Sequence, residues 1–289
     1  MGVYMSTSII EVPPKQWDDF VALSLQGTVF STTSWMDIYE KPYKIYGYCK
    51  GGSLLGGIAG FVDNGFSSGY LIPFTVFQGI LVALQDGKYV SIASQQMKVA
   101  TALIEFLESE YPRVGISNHY TFPDIRPFLW QEYEPVVKYT YIVDISDIEK
   151  AWDNLEKDMR WEINRFNLPL RTNFEGFYDL YKTTFERKGL DVPTDEGFIK
   201  RLLQSKISTL VFQTEHSGVL VMMDNKRAYY IFGASDATGE SAYCLWMAFK
   251  ELHERGIKEV DLVGCNGKNV ANWKRGFGGI LTPYYQVIK

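Results

Sequence analysis

Two stretches of this sequence, half a chain apart, follow one order of pattern and punctuation. In the later one, Ser241–Arg255 places apolar residues at 242, 245, 246, 249 and 252, the spacing of an amphipathic helix. Gly256 stops it. IKEVDLV (257–263) reads as a strand, VANWKR as a short helix, and ILTPYYQVI as a closing strand after Gly276-Phe277-Gly278-Gly279. In the earlier one, Ser94–Glu110 is again an amphipathic helix. RVGIS (113–117), the short aromatic segment IRPFLW and the strand PVVKYTYIVDI (135–145) follow it. Ahead of each helix come three short strands. Their turns lie at Gly51-Gly52 and Asp63-Asn64-Gly65, and at His216-Ser217-Gly218 and Asp224-Asn225, with the chemistry of hairpins. Ile116 falls opposite Leu262 and Tyr141 opposite Tyr285 at a nearly constant offset. Order and spacing agree together, which points to an internal duplication.

A chain of 289 residues has room for two ordinary domains. The expected division is 1–143 and 144–289, with the strand 136–145 placed to serve both halves. The second half opens with SDIEKAWDNLEKDMRWEINRF, expected as one helix capped by Ser146 or Asp147 with Glu149 in its first turn. EGFYDLYKTTFERKG, ending at Gly189, and DEGFIKRLLQSK, after Pro193, are two more helices.

Composition removes several classes of function. Lys+Arg is 29 against Asp+Glu 34, a formal net charge of −5. That is no basic coat for duplex DNA, though a local basic groove stays open. Three cysteines without a Cys-x-x-Cys make no disulfide scaffold. The N-terminal MGVYMSTSIIEVPPKQW lacks a Lys/Arg-led apolar stretch, and the apolar segment 71–84 is cut by Pro73, Gln78 and Gly79, so neither a signal peptide nor a membrane span is expected. A reduced, cytoplasmic protein is the expectation. No Walker-type loop and no His-Glu-x-x-His is present. GGSLLGG (51–57) precedes a strand rather than a helix, so it reads as a hairpin turn. His119, His216 and His253 are scattered, and no metal site is expected. Cys265 lies near Lys268 and Lys274. A thiol nucleophile stays open there, the plainer reading being a small inert cysteine.

The order of three antiparallel strands, long helix, strand, helix and last strand is similar to the GNAT (acyl-CoA N-acyltransferase) fold. The resemblance implies an α+β chain of two tandem GNAT-like domains. Each would be a mixed, mostly antiparallel sheet flanked by helices, with an acyl-donor cleft where central strands part. The pyrophosphate-binding Gln/Arg-x-x-Gly-x-Gly/Ala of ordinary members is missing from FGASDATGESAYCLW (232–246) and from the equivalent first-half stretch. Four second-half stretches resemble a narrower group, the FemABX family and related FemAB-like proteins. YIFGASD (230–236) is similar to its aromatic-strand-to-Gly-Ala-Ser turn. AYCLWMAFKELHERGIKEVDLVG (242–264) resembles its long helix and Gly-x-x-x-x-Asp-Leu. NWKRGFGGILTPY (272–284) resembles its Phe-Lys-x-x-Phe-Gly signature, with Trp273 for the first Phe. KDMRWEIN (157–164) resembles its Arg-bearing helix. In the first half, FSTTSWMDIYEK (30–41) is a weaker likeness.

Such a family transfers amino acids from aminoacyl-tRNA to peptidoglycan precursors. Acyl transfer to an amine passes through an oxyanion, which a fixed cation stabilises. The resemblance implies that Lys274 does this, with Trp273 packing beside it. The plainer reading leaves Lys274-Arg275 in solvent at a helix C-terminus. Arg160 resembles the arginine that meets the diphosphate of a nucleotide-linked acceptor; the alternative is a helix arginine paired with Glu156. Tyr230 is either a cleft tyrosine or a core ring. Asp236 either holds a substrate amine or caps the next helix. Family members place a phosphate-touching lysine soon after the Trp of the 30–41 segment; here position 38 is Ile, and the lysine comes later, at Lys41. Phe277 and Gly278 are expected as a core ring and a positive-φ turn. The first half has Phe128-Leu129-Trp130 where the second has Trp273-Lys274, and reads as a degenerate copy.

The expected function is transfer of an acyl or aminoacyl group to an amine of a cell-wall peptide or surface-polysaccharide precursor. The donor expected is aminoacyl-tRNA rather than a bound cofactor, although no heptad arm for tRNA is present. An acetyl-CoA-dependent N-acetyltransferase on an amino sugar is the alternative, and a non-catalytic precursor-binding protein the second.

Overall fold

The computed structural model describes residues 6–289. In chain order the elements are β1 (Thr7–Glu11), α1 (Pro14–Leu23), α2 (Thr33–Asp37), β2 (Tyr43–Lys50), β3 (Ser53–Val62), β4 (Phe66–Ser68), β5 (Leu81–Val82), α3 (Tyr89–Glu110), β6 (Val114–Ser117), α4 (Arg126–Trp130) and β7 (Glu134–Asp144). They continue with α5 (Ile148–Asn154), α6 (Lys157–Asn164), α7 (Phe177–Glu186), α8 (Glu196–Gln204), β8 (Ser208–Gln213), β9 (Ser217–Met223), β10 (Ala228–Ser235), α9 (Ser241–Glu254), β11 (Glu259–Asp261), α10 (Lys268–Arg275) and β12 (Ile280–Ile288). Contacts divide the chain into two compact units, one running to Lys138 and taking in Pro283–Lys289, the other Tyr139–Thr282.

In the first unit the sheet runs β1-β2-β3-β4-β6-β12, with β5 on β3. Among the described residues only β4 and β6 pair in parallel there. Gly51 and Gly52 turn the β2–β3 hairpin at φ 57° and 82°, the conformation that glycine adopts without steric cost. Helix α3 buries Val99, Ala100, Leu103, Ile104 and Leu107 against Ile58, Ile116 and Phe128. Its first turn is solvent-exposed at Tyr89 and Val90, so the apolar period begins after the helix does.

In the second unit the order is β8-β9-β10-β11-β7. Again one pair, β10 with β11, is parallel and the rest antiparallel. Helix α9 buries Ala242, Leu245, Phe249 and Leu252 in a core shared with Val219, Val221, Val260 and Phe277.

Both units therefore follow the plan expected for each half, with one difference. The closing strands are exchanged. Residues 142–144 of β7 pair with β11, and residues 286–288 of β12 pair with β6. The division falls at 138/139, with the last seven residues in the first unit, and not at 143/144. Either closing strand has the alternation to complete either sheet, so local pattern is silent on the choice.

The helix expected over 146–166 is two. Asp147 caps α5 by accepting from the amides of Glu149 and Lys150. The chain then turns extended at Leu155 and Glu156, with ψ 142° and 147°. The break lets Leu155 reach the core while the Glu156 amide donates to Gly276 O at 2.9 Å.

Candidate functional site

The parallel pair β10–β11 is short. It holds at Ala228↔Val260 and Tyr229↔Asp261, and then the strands part. A bulge between Tyr230 and Phe232 bends β10, which continues to Ser235 paired only to β9 on its other side. Beyond β11 the backbone turns through Val263 (φ 39°) and Gly264 (φ 51°). That leaves the carbonyls of 262–264 without strand partners at the point of separation.

Lys274 fills this point. Its Nζ donates to Leu262 O at 2.7 Å, to Val263 O, and at 3.4 Å to Gly264 O. The ammonium also lies 5.4 Å from the centroid of the Tyr230 ring, a cation–π distance. Trp273 packs tilted against Tyr230 at 6.1 Å and edge-on to Phe277 at 5.0 Å. Burial pulls the Lys274 ammonium down to about 8, while Cys265 and Asp261 act to raise it. The lysine is thus buried, and its carbonyl partners belong to the loop after β11, Leu262 and Val263 buried and Gly264 exposed. Its neighbour Arg275 is exposed and pairs with Glu156 at 3.0 Å.

Asp261, the aspartate of the Gly-x-x-x-x-Asp-Leu stretch, has no role assigned to it from sequence. Fully buried on β11, it accepts from Thr140 Oγ1 and from the Val263 amide at 2.8 Å. Burial pushes its carboxyl up to about 6, against the pull of these donors, Arg227 and Lys274. Its signal in the sequence was one acid inside the apolar run Val260–Val263. Cys265 is buried and its thiol is pushed up to about 11 by desolvation, partly offset by Lys274, so it is protonated at neutral pH. The inert reading of this cysteine fits.

The other expected residues are spread over the fold. Tyr230 is a buried ring whose centroid lies 5.4 Å from the Lys274 ammonium. Arg160 is half-buried on α6 and donates to Asp153 O at 3.3 Å; Glu156, its expected partner, is held by Arg275 instead. Asp236 does not cap α9, whose N-cap position is Glu240. Asp236 accepts from His216 Nδ1 at 2.6 Å and from the Thr238 amide at 3.2 Å. Desolvation opposes its ionisation, yet the His216 bond holds its carboxyl below the usual range and raises His216 in turn. Asp236 stands six residues along β10 from Tyr230, roughly 20 Å of strand, so the two cannot touch one reacting atom. Lys41 belongs to the first unit, exposed in the loop between α2 and β2. Among the described residues no group of His, Cys, Asp and Glu could hold a metal ion, and no helix is long and apolar enough to cross a membrane.

Among the described residues of the first unit, the corresponding point between its parallel strands is filled. Where β4 and β6 would part, residues 76–80 are stapled between them. Gln78 and Gly79 amides donate to Ser117 O at 3.1 and 2.8 Å, Ser68 Oγ to Gln78 O at 2.9 Å, and Ser117 Oγ to Val76 O at 2.6 Å. A Cβ on Gly79 would stand 2.4 Å from Asn118 Oδ1 and 2.9 Å from Ser117 O, so the staple leaves no space. On α4 the position matching Lys274 is Leu129, partly exposed.

No protein-family model and no curated protein matches the chain. Among solved structures it is similar to the crystal structure of FemX, at TM-score 0.69 and 12% identity over 96% of each chain. It is also similar to L-PGS from Bacillus licheniformis, at TM-score 0.58 and 12% identity over 96% of this chain and 92% of that one. A tandem GNAT protein from the clavulanic acid biosynthesis pathway gives TM-score 0.55 and 8% identity over 98% of both. The chain carries the GNAT fold twice, in the tandem, FemX-like form.

Proposed function

We propose that the second unit transfers an aminoacyl group to an amine of a cell-wall peptide or surface-glycan precursor. The observation that carries this reading is a buried ammonium, under a tyrosine ring, where β10 and β11 part. Two of its N–H groups are held firmly by carbonyls. The third makes only the 3.4 Å contact to Gly264 O, and it is the donor that a developing oxyanion would take. The acceptor amine attacks the acyl carbonyl carbon, and the ester bond to the donor's ribose oxygen breaks. The proton lost by the amine balances the one gained by the leaving hydroxyl. The solved structures named FemX and L-PGS support a transferase of this kind.

The turn from β10 to α9 disfavours acetyl-CoA as donor. Its Ala237 and Thr238 amides are taken by Ser235 Oγ and Asp236 Oδ1. Glu240 stands at the N-cap, Glu215 and Asp236 lie around His216, and Glu162 Oε1 would be 3.3 Å from a Cβ on Gly239. A pyrophosphate there would meet carboxylates where it needs free amides.

The test is mass spectrometry of amine-bearing precursors incubated with the full chain and either charged tRNA or acetyl-CoA. An added aminoacyl mass with charged tRNA alone is expected; acetylation would overturn the donor assignment, and saturable precursor binding without turnover would make this a binding protein.

Asp261 gives a pH-dependent prediction for the same site. Asp261→Asn keeps an acceptor for Thr140 and Val263 but removes a negative charge that favours protonated Lys274. Turnover needs the charged lysine, so the alkaline fall in rate should begin at lower pH in the variant. An unshifted pH–rate profile would disconnect Asp261 from the mechanism.

A further inference from the structure

Helix α6 carries a feature that the transfer chemistry does not use. Lys157, Trp161 and Arg165 follow one another at i, i+4 and i+8, a single row along its surface. Trp161 is 63% exposed, an unusual state for the largest apolar side chain. The guanidinium of Arg165 covers one face of the indole at 4.7 Å from its centroid. A hollow of about 600 Å³ is lined by Lys157, Asp158, Trp161, Glu162 and Arg165.

Beside the ring, Glu162 is half-buried and, among the described residues, makes no hydrogen bond or ion pair. Burial raises its carboxyl, with Arg165 acting against that shift. A carboxylate that loses water without gaining a partner is costly to keep. Its oxygen approaches Gly239, at the turn into α9. Nearer its start, Met159 of α6 meets the residue that ends α10, where a Cβ on Gly276 would stand 2.7 Å from Met159 Cε. The helix thus runs from the end of α10, which carries Lys274, to the turn into α9.

We infer that this hollow is a saccharide subsite that takes an amino sugar. The indole offers a flat apolar face to the C–H face of a pyranose. Glu162 accepts from the sugar's ammonium or hydroxyls, and Lys157, Asp158 and Arg165 are placed to meet the remaining hydroxyls. The carboxylates of the hollow, Asp158 and Glu162, offset its cations, Lys157 and Arg165, so it holds no excess positive charge for the phosphates of a nucleotide. The inference goes beyond the transfer reading, because it rests on α6 and not on the reaction at Lys274.

The experiment is calorimetric titration of the full chain with a glucosamine tetramer bearing free amines, its fully N-acetylated counterpart, and uridine monophosphate. The free-amine tetramer should bind in preference to the other two. Trp161→Ala should weaken it by about tenfold or more. Glu162→Gln should remove the preference for the free amine while leaving binding of the acetylated form unchanged. Lys274→Met should bind as the natural chain does, so loss of transfer and loss of this subsite read out separately. No binding of either saccharide, equal binding by Trp161→Ala, or preference for the nucleotide would each overturn the inference.

Discussion

Lys274→Met should lower turnover by about 10²–10³-fold, the usual effect of losing one oxyanion donor, in a chain that still folds. Methionine keeps the length and most of the volume of the stem and loses only the charge and its donors. The same substitution should change how stability depends on pH. Folding pulls the ammonium from its ordinary 10.5 to about 8, so between these values the unfolded chain binds more protons than the folded one. Stability of the natural chain should therefore climb from pH 8 to pH 10.5, by about 3 kcal/mol at full extent. Activity should fall as that proton leaves, so one group drives the two properties in opposite directions. Lys274→Met should lose the stability slope. It should also expose the cost of leaving the carbonyls of 262–264 without a donor, about 1–3 kcal/mol for each that water cannot reach. Urea titrations from pH 7 to 10, beside rates over the same range, check both. Turnover unchanged in the variant would remove Lys274 from the chemistry, and a slope unchanged in the variant would assign the proton elsewhere.

The tandem plan was legible because its evidence is local. Hairpin turns at Gly51-Gly52 and Asp224-Asn225, the helical period of Ser241–Glu254 and the alternation of the strands are each written in a few adjacent residues. The WKRGFGG stretch was legible for the same reason. Its Phe277 is a fully buried ring and its Gly278 has φ 71°, the two roles that short-range pattern implies.

What stayed hidden depends on residues far apart in the chain. The exchange of β7 and β12 changes no residue's preference for a strand. Only the long-range pairings 142–144 with 259–261 and 286–288 with 115–117 record it. The break between α5 and α6 is set by Gly276 and Gly278, more than a hundred positions later, and not by a breaker of its own. The staple at 76–80 looked like an interrupted apolar run, because its partners Ser68 and Ser117 are remote. The depth of Lys274 was hidden too, since a cation at the end of a short helix is ordinarily solvated. Its burial follows from the parting of β10 and β11, which leaves the buried carbonyls of Leu262 and Val263 in need of donors.

Phe277→Ala should cost about 3–5 kcal/mol of folding stability. The ring is fully buried and makes edge contacts with Phe249 at 5.7 Å and Trp273 at 5.0 Å. It joins the core under α9 to the helix that presents Lys274, so its removal leaves a cavity that neither helix can close without moving. Gly278→Ala should destabilise by a different route. At φ 71° an added Cβ would stand 2.4 Å from Asn154 O, a backbone atom at the C-terminal end of α5 that cannot swing aside. The two variants can be told apart. The alanine at 277 leaves Trp273 without its edge partner, so tryptophan fluorescence and rate should change even in the folded fraction. The alanine at 278 strains a turn, and suppressing it requires α5 to shift. Urea unfolding at neutral pH measures both losses. A cost below about 1 kcal/mol at 277 would mean that this ring is not what ties α10 to the core, and the rigid placement of Lys274 would need another source.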